Sequence, residues 1–346
     1  MSSDFIRQAL RQVRYPGFSR DIVSFGLVKD IICEPGLTTV KIEVQTADPK
    51  IPEQIFRDCH AILDPLPDVG HAQIVIDVKA PPASAATSDL GSAALPGVKR
   101  IIAIASGKGG VGKSTVAANL AVALAATGAR VGLCDCDLYG PSMAQMFGTS
   151  ERPLANEQDE IIPIRAHGIQ LMSMAFLLDG ASPVIVRGPM ATRYTQQFLR
   201  QVAWGELDYL ILDLPPGTGD IQLTIVQTVS VDAAIIVTTP QEVALIDARK
   251  AIAMFGKVNV PILGLIENMA WFDCDAGKRY YLFGNGGGVR EAELNGVPLL
   301  GQIPLEVATR ERGDSGEPIA LLPTEENQVS AAFHQTAAAV RAQLTV

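Results

Sequence analysis

Between residues 101 and 303, short apolar runs alternate with longer segments of helical periodicity. The runs are apolar on both faces, which is the pattern of buried parallel strands rather than of half-exposed ones. The predicted strands are residues 101–105, 131–136, 209–214, 233–238, 262–267 and 299–303. Since strands that alternate with helices are joined by right-handed crossovers, the pattern predicts an α/β fold with a doubly wound, mostly parallel sheet.

The first 80 residues show a different pattern, in which two helical stretches alternate with two strands. Residues 39–44 and 73–79 alternate apolar with polar positions, as half-buried strands do. The two helices carry one apolar face each, at Ile6, Leu10 and Val13 and at Ile55, Cys59 and Ile62. This arrangement predicts a small two-layer α+β domain in front of the large one.

Residues 80–96 are rich in Ala, Ser and Pro, have no large apolar periodicity and therefore predict a linker. The predicted organisation is therefore a small domain (1–80), a linker (81–98) and a large domain (99–346). Residues 325–346 place Phe333, Ala337, Val340 and Leu344 at helical spacing, which predicts a helix that docks on the sheet. A membrane-anchoring helix would carry several basic residues, and this segment has only Arg341.

Charge and composition exclude several classes of protein. The chain has 346 residues, of which 28 are Lys or Arg and 37 are Asp or Glu, so its formal net charge is −9. An acidic chain lacks the broad positive surface of a DNA-binding protein. The start has no apolar signal region, and no stretch reaches the ~20 apolar residues of a membrane span. Five cysteines in a long chain do not suggest a secreted disulfide scaffold. We expect a cytoplasmic protein without nucleic-acid or membrane partners.

A glycine-rich loop, GKGGVGKST, lies between the first strand of the large domain and a helical run. Its residues are Gly107, Lys108, Gly109, Gly110, Val111, Gly112, Lys113, Ser114 and Thr115. In such a loop the glycines let successive backbone N–H groups point at phosphates, and the helix N-terminus adds its dipole. Lys113 is expected to reach the β- and γ-phosphates, and the Ser114 hydroxyl to ligate Mg²⁺. The sequence therefore predicts a nucleoside triphosphate site with Mg²⁺ and a fold of the P-loop NTPase type.

Acidic residues follow two further strands of the predicted sheet. Ligands of doubly wound folds bind beyond the carboxyl ends of the strands, so these residues are expected near the loop. Asp213 is the candidate for holding Mg²⁺ through water, Asp137 for orienting the attacking water, and Gly217 for donating its N–H to the γ-phosphate. Each acid has an alternative interpretation as a helix cap or turn former.

The early lysine of the loop makes it similar to the deviant Walker A motif, KGGxxGK[ST], of the MinD, ParA and nitrogenase iron protein group. In that group this lysine crosses a dimer interface to the partner's nucleotide. The resemblance thus implies that Lys108 acts as a third catalytic residue, with Lys113 and Asp137, in a homodimer with shared ATP sites. Without the resemblance, Lys108 would be interpreted as a solvated surface lysine.

The chain resembles the Mrp family, also called ApbC or NBP-type ATPases, in the segments IASGKGGVGKSTVAANLA, DCDLYGPS, LILDLPPGTGD, ENMAWF and FGNGGG. The stretch YPGFSRDIVSFGLVKDI resembles the small iron–sulfur assembly accessory domain that precedes many of these ATPases. The resemblance implies slow, switch-type ATP hydrolysis by a homodimer that carries iron–sulfur clusters to apoproteins. It also implies that Asn268 meets the adenine edge, for which the alternative is a turn asparagine.

The chain departs from the family at the cluster site. The family holds its cluster with a CxxC motif shortly after the E-N-M segment, and here Cys274 is present while Gly277 stands where the second cysteine is expected. A dimer would then offer two thiolates, whereas a cubane cluster usually takes four. Cys134 and Cys136 form a C-x-C pair, but it lies beside the nucleotide rather than at the dimer edge, and small apolar strand residues are the preferred interpretation. The alternative to a cluster carrier is therefore a cluster-free, nucleotide-switched adaptor for assembly factors. A MinD- or ParA-like positioning ATPase is a third hypothesis, which the acidic charge and the tail disfavour.

Overall fold

The computed structural model describes residues 3–16, 21–34, 36–46, 50–66, 69–79, 94–138, 140–177, 196 and 198–344. The chain divides into two compact units. One comprises Met1–Leu90 and Leu177–Ile185, and the other Gly91–Phe176 and Val186–Val346. Most of the predicted linker, residues 80–93, lies outside the described residues, so the domain boundaries at 80 and 99 stay a prediction.

The small unit consists of α1 (Ser3–Leu10), β1 (Val28–Glu34), β2 (Leu37–Gln45), α2 (Lys50–Leu63) and β3 (His71–Lys79). The strands form one sheet in the order β1-β2-β3, with β1 antiparallel and β3 parallel to β2. Ile6, Leu10, Ile55 and Cys59 are buried in its core, as their spacing predicts. The first helix ends at Leu10, and Val13 is buried in the turn that follows.

Two details of the small unit differ from the sequence predictions. Leu63 rather than Ile62 is the fully buried residue at the end of α2. Strand β1 is not among the predicted strands. Two consecutive residues of β1, Ile31 and Ile32, are both apolar, although Ile32 is 39% exposed. Such a run lacks the clean alternation that marks a half-buried strand.

The large unit begins with β4 (Val98–Ala105), α3 (Lys113–Ala125), β5 (Val131–Asp135), α4 (Met143–Met146), β6 (Ile164–Ala166), β7 (Ile169–Ser173) and β8 (Leu207–Asp213). It continues with α5 (Asp220–Thr228), β9 (Ala233–Thr238), α6 (Glu242–Lys257), β10 (Ile262–Asp273), β11 (Arg279–Tyr280), α7 (Gly287–Asn295), β12 (Leu299–Leu305), α8 (Val307–Ser315) and α9 (Gln328–Gln343).

The strands described in the large unit form a nine-stranded sheet in the order β11-β10-β9-β4-β8-β5-β7-β6, with β12 paired to β10. All pairs are parallel except β6 with β7 and β10 with β11. This confirms the predicted α/β fold with a mostly parallel sheet. Strand β4 lies between β8 and β9, so the loop that follows it opens at the centre of the sheet.

The C-terminal helix α9 packs on β12 and α3, as predicted for the tail. Phe333, Ala337 and Val340 are fully buried. Leu344 lies just beyond the helix, where its carbonyl oxygen accepts a hydrogen bond from the Tyr209 hydroxyl at 3.2 Å. Within the described ranges, no helix combines the length and the apolar character that crossing a membrane requires.

Candidate functional site

The glycine-rich loop connects β4 to α3, and all nine of its predicted residues lie at the carboxyl end of β4. Gly110 and Gly112 have φ angles of +83° and +79°, in the left-handed region that favours glycine. Gly107 allows close packing, because a Cβ there would lie 2.0 Å from the carbonyl oxygen of Asp247. The backbone therefore takes the conformation that lets a loop wrap around phosphates at the start of a helix.

Lys113, the first residue of α3, donates to the carboxylate of Asp213 at the end of β8. It also donates to the Ser114 hydroxyl at 3.1 Å. The second carboxylate oxygen of Asp213 is buried and has no hydrogen-bond partner among the described residues. Burial raises the pKa of Asp213, and the charge of Lys113 opposes this rise. A hydroxyl and an unpartnered carboxylate oxygen are hard donors of the kind that Mg²⁺ prefers, so these residues fit that ion.

Asp135, which is not among the residues predicted for the site, accepts four hydrogen bonds there. Its side chain accepts hydrogen bonds from the N–H groups of Asp137 (3.1 Å), Ser142 (3.0 Å) and Met143 (3.2 Å) and from the Ser173 hydroxyl (3.0 Å). Burial, and after it the charge of Asp213, raises the pKa of Asp135 to about 7. A signal existed in the sequence, since Asp135 is the one acidic residue in the otherwise apolar run of residues 131–136.

Asp137 and Gly217 lie at the same edge of the sheet. The Asp137 carboxylate accepts the N–H of Gly140 at 3.1 Å, and its charge contributes to the raised pKa of Asp213. The Gly217 N–H is donated to the carbonyl of Ser106 at 3.1 Å, at a φ angle of +99°. Donation of that N–H to a γ-phosphate, as predicted, therefore requires the bond to Ser106 to open.

Asn268 supports the loop from β10. Its side-chain amide donates to the Val111 carbonyl at 2.9 Å and is buried. The same amide nitrogen lies 2.2 Å from the position of a Cβ on Gly112, so only glycine fits there. Strand β10 continues to Asp273 instead of ending at residue 267 as predicted, and Asn268 is thus part of a strand with a register shift, not of a turn.

A cavity of about 280 Å³ opens beside the helix end of the loop. Gly112, Thr115 and Asn268 form one part of its wall, and the ends of α4 and α8 form another. The hydroxyl oxygens of Ser142 and Thr309, which also line it, are buried without a partner in the described part of the chain. Its volume approaches the range of small-molecule sites, and its position suits the nucleoside of a nucleotide whose phosphates lie on the loop.

Cys274 lies in the hairpin that connects β10 to β11. The hairpin is held by two bonds from Arg279 to Asp273, both 2.8 Å, and by Arg279 stacked 4.4 Å from the centre of the Trp271 ring. The hydrogen bonds from Arg279 lower the pKa of Asp273. Gly277 donates its N–H to the Cys274 carbonyl at 2.8 Å with a φ angle of +74°, so it closes the turn.

Thiolates for a cluster are therefore scarce. Across the described residues, no three His, Cys, Asp or Glu side chains are grouped as a metal ion requires. Cys134 and Cys136 are both buried, with their sulfur atoms 3.9 Å apart. The contact with Cys134 and burial hold the pKa of Cys136 well above its usual value, which keeps it a thiol. This fits their interpretation as apolar strand residues.

The segment FGNGGG has a packing role. A Cβ on Gly287 would lie 2.2 Å from the Pro240 carbonyl oxygen, and one on Gly288 would lie 2.8 Å from the Glu267 side chain. The buried Glu267 carboxylate accepts the Gly288 N–H at 2.9 Å at the start of α7. The N-terminus of α7 is thus already occupied by an acidic side chain of the protein, Glu267.

The strand, the glycine-rich loop and the Lys-Ser-Thr helix start at the centre of a parallel sheet define a P-loop NTPase. The family of NUBPL iron-transfer P-loop NTPases matches residues 97–341, and a family of iron–sulfur cluster assembly proteins matches residues 3–74. The chain belongs to the NUBPL iron-transfer P-loop NTPase family and carries an assembly-protein domain in front. These matches confirm the resemblance to the Mrp group.

Curated relatives match nearly the whole chain. An iron–sulfur cluster carrier protein of Deinococcus radiodurans is 46% identical over 99% of this chain and 96% of its own length. An iron–sulfur cluster carrier protein of Synechocystis is 43% identical over 94% of this chain and 93% of its own length. Among solved structures, a nucleotide-binding protein of Archaeoglobus fulgidus in complex with ADP is 37% identical, with a TM-score of 0.58 over 67% of this chain and 92% of that one. The cell division ATPase MinD of Pyrococcus furiosus is 25% identical, with a TM-score of 0.55 over 71% of this chain and 99% of the MinD chain.

Proposed function

We propose that this chain is an ATP-binding and ATP-hydrolysing homodimer that carries iron–sulfur clusters to apoproteins. The observation that carries the proposal is similarity along the full length to proteins named iron–sulfur cluster carriers, 46% identical over 99% of the chain in one case. The phosphate loop and the assembly-protein domain are both inside the matched length. The cluster is the cargo of this activity, and ATP with Mg²⁺ is its switch.

In the nucleotide cycle, the loop amides bind the phosphates and Lys113 leaves Asp213 for the β- and γ-phosphates. Ser114 and, through water, Asp213 would hold Mg²⁺, which would neutralise phosphate charge when bound. Asp137 orients the attacking water. Lys108 reaches the nucleotide of the partner subunit, where its charge stabilises the transition state.

The cavity beside Gly112 and Asn268 accommodates the nucleoside. Asn268 already donates one amide hydrogen to Val111, so its carbonyl oxygen remains an acceptor for the amino group of adenine. Asn268 would thus contact the base of ATP and support the phosphate loop at the same time.

Cys274 is the candidate thiolate for the cargo, with its counterpart in the second subunit. Four thiolates are the usual complement of a cubane cluster, so a dimer with two would share the cluster with other thiolates, such as those of the recipient apoprotein. Such incomplete ligation suits a carrier that must release its cargo.

Iron and sulfide analysis tests cluster carriage. Protein purified without oxygen, or reconstituted with iron and sulfide, is expected to hold cluster iron that Cys274→Ala removes. Ser150→Ala, an exposed position in the same unit, serves as a matched control. Absence of iron and of cluster absorbance, in protein that still binds ATP, would sink the carrier role.

A cluster-free adaptor is the second candidate, and the left-handed Gly277 in the position of a ligand favours it. In this role the bound nucleotide controls the affinity for assembly factors. Nucleotide-dependent capture of such partners would then persist after Cys274→Ala. Loss of those partners on that substitution would count against the adaptor.

A further inference from the structure

Helices α4 and α8 are joined at the rim of the nucleoside cavity by two contacts. The side-chain amide of Gln145 donates to the Asp314 carbonyl at 2.5 Å. Gly148, just beyond α4, packs on Gly316, just beyond α8, so closely that a Cβ on Gly316 would lie 2.2 Å from the Gly148 Cα. Their φ angles of +60° and +80° are those at which glycine is favoured. This close fit makes the two helix ends move together.

The same two helix ends line the cavity. Gln145 lines it from α4, and Thr309 and Asp314 line it from α8. Ser142 at the start of α4 and Thr309 in α8 each present a buried hydroxyl without a partner in the described ranges. A ligand with its own hydroxyl groups, such as a ribose, satisfies both. A nucleoside in the cavity would therefore touch both helices.

Helix α4 is attached in turn to the acidic strand end. The N–H groups of Ser142 and Met143 donate to one oxygen of the Asp135 carboxylate, at 3.0 and 3.2 Å. The other oxygen accepts the N–H of Asp137 at 3.1 Å. Asp135 is fully buried, so a displacement of α4 is passed through one carboxylate to the backbone of Asp137.

We propose that Gln145 is a positioning residue that couples nucleoside binding in the cavity to the placement of Asp137. The inference rests on the proposed function, in which ATP occupies the cavity and Asp137 orients the attacking water. A water-orienting group displaced by about 1 Å costs on the order of a hundredfold in rate. Without the bond from Gln145 to Asp314, the loop still binds phosphates, while α4 keeps only its glycine contact with α8 and is held less firmly at the cavity rim.

Hydrogen exchange on the full-length protein tests the coupling without requiring hydrolysis. Gln145→Glu keeps the size of the side chain and removes the amide donor, and Gln158→Glu makes the same change at an exposed glutamine elsewhere. With Mg²⁺ and ADP, amides 107–115 are expected to gain protection in the wild type and in both variants. Amides 136–138 and 142–148 are expected to gain protection in the wild type and in Gln158→Glu but not in Gln145→Glu.

Kinetics supplies the second readout. Gln145→Glu is expected to lower single-turnover ATP hydrolysis about tenfold, to change the Kd for ADP less than threefold and to leave the Tm unchanged. A purely structural role would instead lower the Tm and affect binding and turnover together, which overturns the proposal. Protection of 107–115 without protection of 136–138 and 142–148 in the wild type also overturns the coupling, but it is consistent with the proposed nucleotide site. No protection in either segment means that the nucleotide site itself is wrong.

Discussion

The ammonium group of Lys113 and the carboxylate of Asp213 form an ion pair in which the side chains are only 6% and 0% exposed. Each charge compensates for the burial of the other, because a buried ion without a partner is costly. The pair lies where phosphates are expected, so a nucleotide must exchange one anionic partner of Lys113 for another.

Lys113→Ala is therefore expected to weaken ADP binding at least ~100-fold, since Lys113 is the cation that we propose moves from Asp213 to the phosphates. Isothermal titration calorimetry measures this directly. Lys257→Ala, at the exposed end of α6, is the matched control and should bind as the wild type does. Thermal unfolding of both variants separates a folding defect from a binding defect. Retention of wild-type affinity in a folded Lys113→Ala protein would contradict the assigned role.

Lys108→Ala and Asp137→Asn are expected to change the Kd for ADP less than about threefold and to lower the hydrolysis rate on the order of a hundredfold or more. Lys108 would act on the partner's nucleotide and Asp137 on water, so neither is needed to hold ADP. Steady-state ATP turnover together with calorimetry checks both statements.

Mixing the two variants tests the shared site. In a mixed dimer, one site combines the intact Asp137 of one subunit with the intact Lys108 of the other, so activity should reappear. Mixtures that remain as inactive as either variant alone, despite subunit exchange, would argue that Lys108 acts within its own chain.

Asn268→Ala is expected to cost about 1–3 kcal/mol of stability, because the buried Val111 carbonyl loses its donor. The phosphate loop should also lose support, so ADP binding weakens. Urea unfolding and ADP titration measure the two effects. Asn295→Ala, which removes an exposed asparagine that bonds to Glu291, is the control with a smaller expected cost. Equal costs for the two substitutions would be evidence against a special role for Asn268.

Asp208 provides a prediction of pH dependence. The Arg130 N–H at 2.8 Å, followed by Lys99 at 2.9 Å, holds the pKa of Asp208 well below its usual range. A lowered pKa in the folded state stabilises the protein fully above the unfolded pKa of about 3.9, and this stabilisation is lost as the pH falls through the folded value. Asp208→Asn should thus be less stable than the wild type from pH 5 to 8.

The difference in urea midpoint between Asp208→Asn and the wild type should shrink as the pH falls below about 4. Asp275→Asn, at an exposed position of the hairpin, is the matched Asp→Asn variant measured alongside it. A gap that widens in acid would have the wrong sign for a lowered pKa.

The sequence was most informative where one physical requirement dominates. The loop from Gly107 to Thr115 could be located because phosphate binding demands glycine, lysine and a helix start in fixed order. The central strands could be located because they are buried on both faces. Strand β7 was missed although it is also parallel, since its five residues include the polar Gln170 and Ser173.

Contacts between distant segments were beyond the sequence. The bond from Asn268 to Val111 spans 157 positions, and that from Gln145 to Asp314 spans 169. Neither pair has a local pattern, because each depends on which strands become neighbours in the sheet. The bonds that Asp135 accepts from Ser142 and Met143 likewise depend on α4 lying beside the end of β5.

The β10–β11 hairpin keeps its shape by an ion pair, a stacked ring and a left-handed glycine. None of these elements is a metal bond. The surface around Cys274 that a partner meets should therefore be the same in iron-loaded and iron-free protein, and in the presence and absence of oxygen. We therefore expect an adaptor or carrier built this way to present the same hairpin to its partners before and after the passage of its cargo.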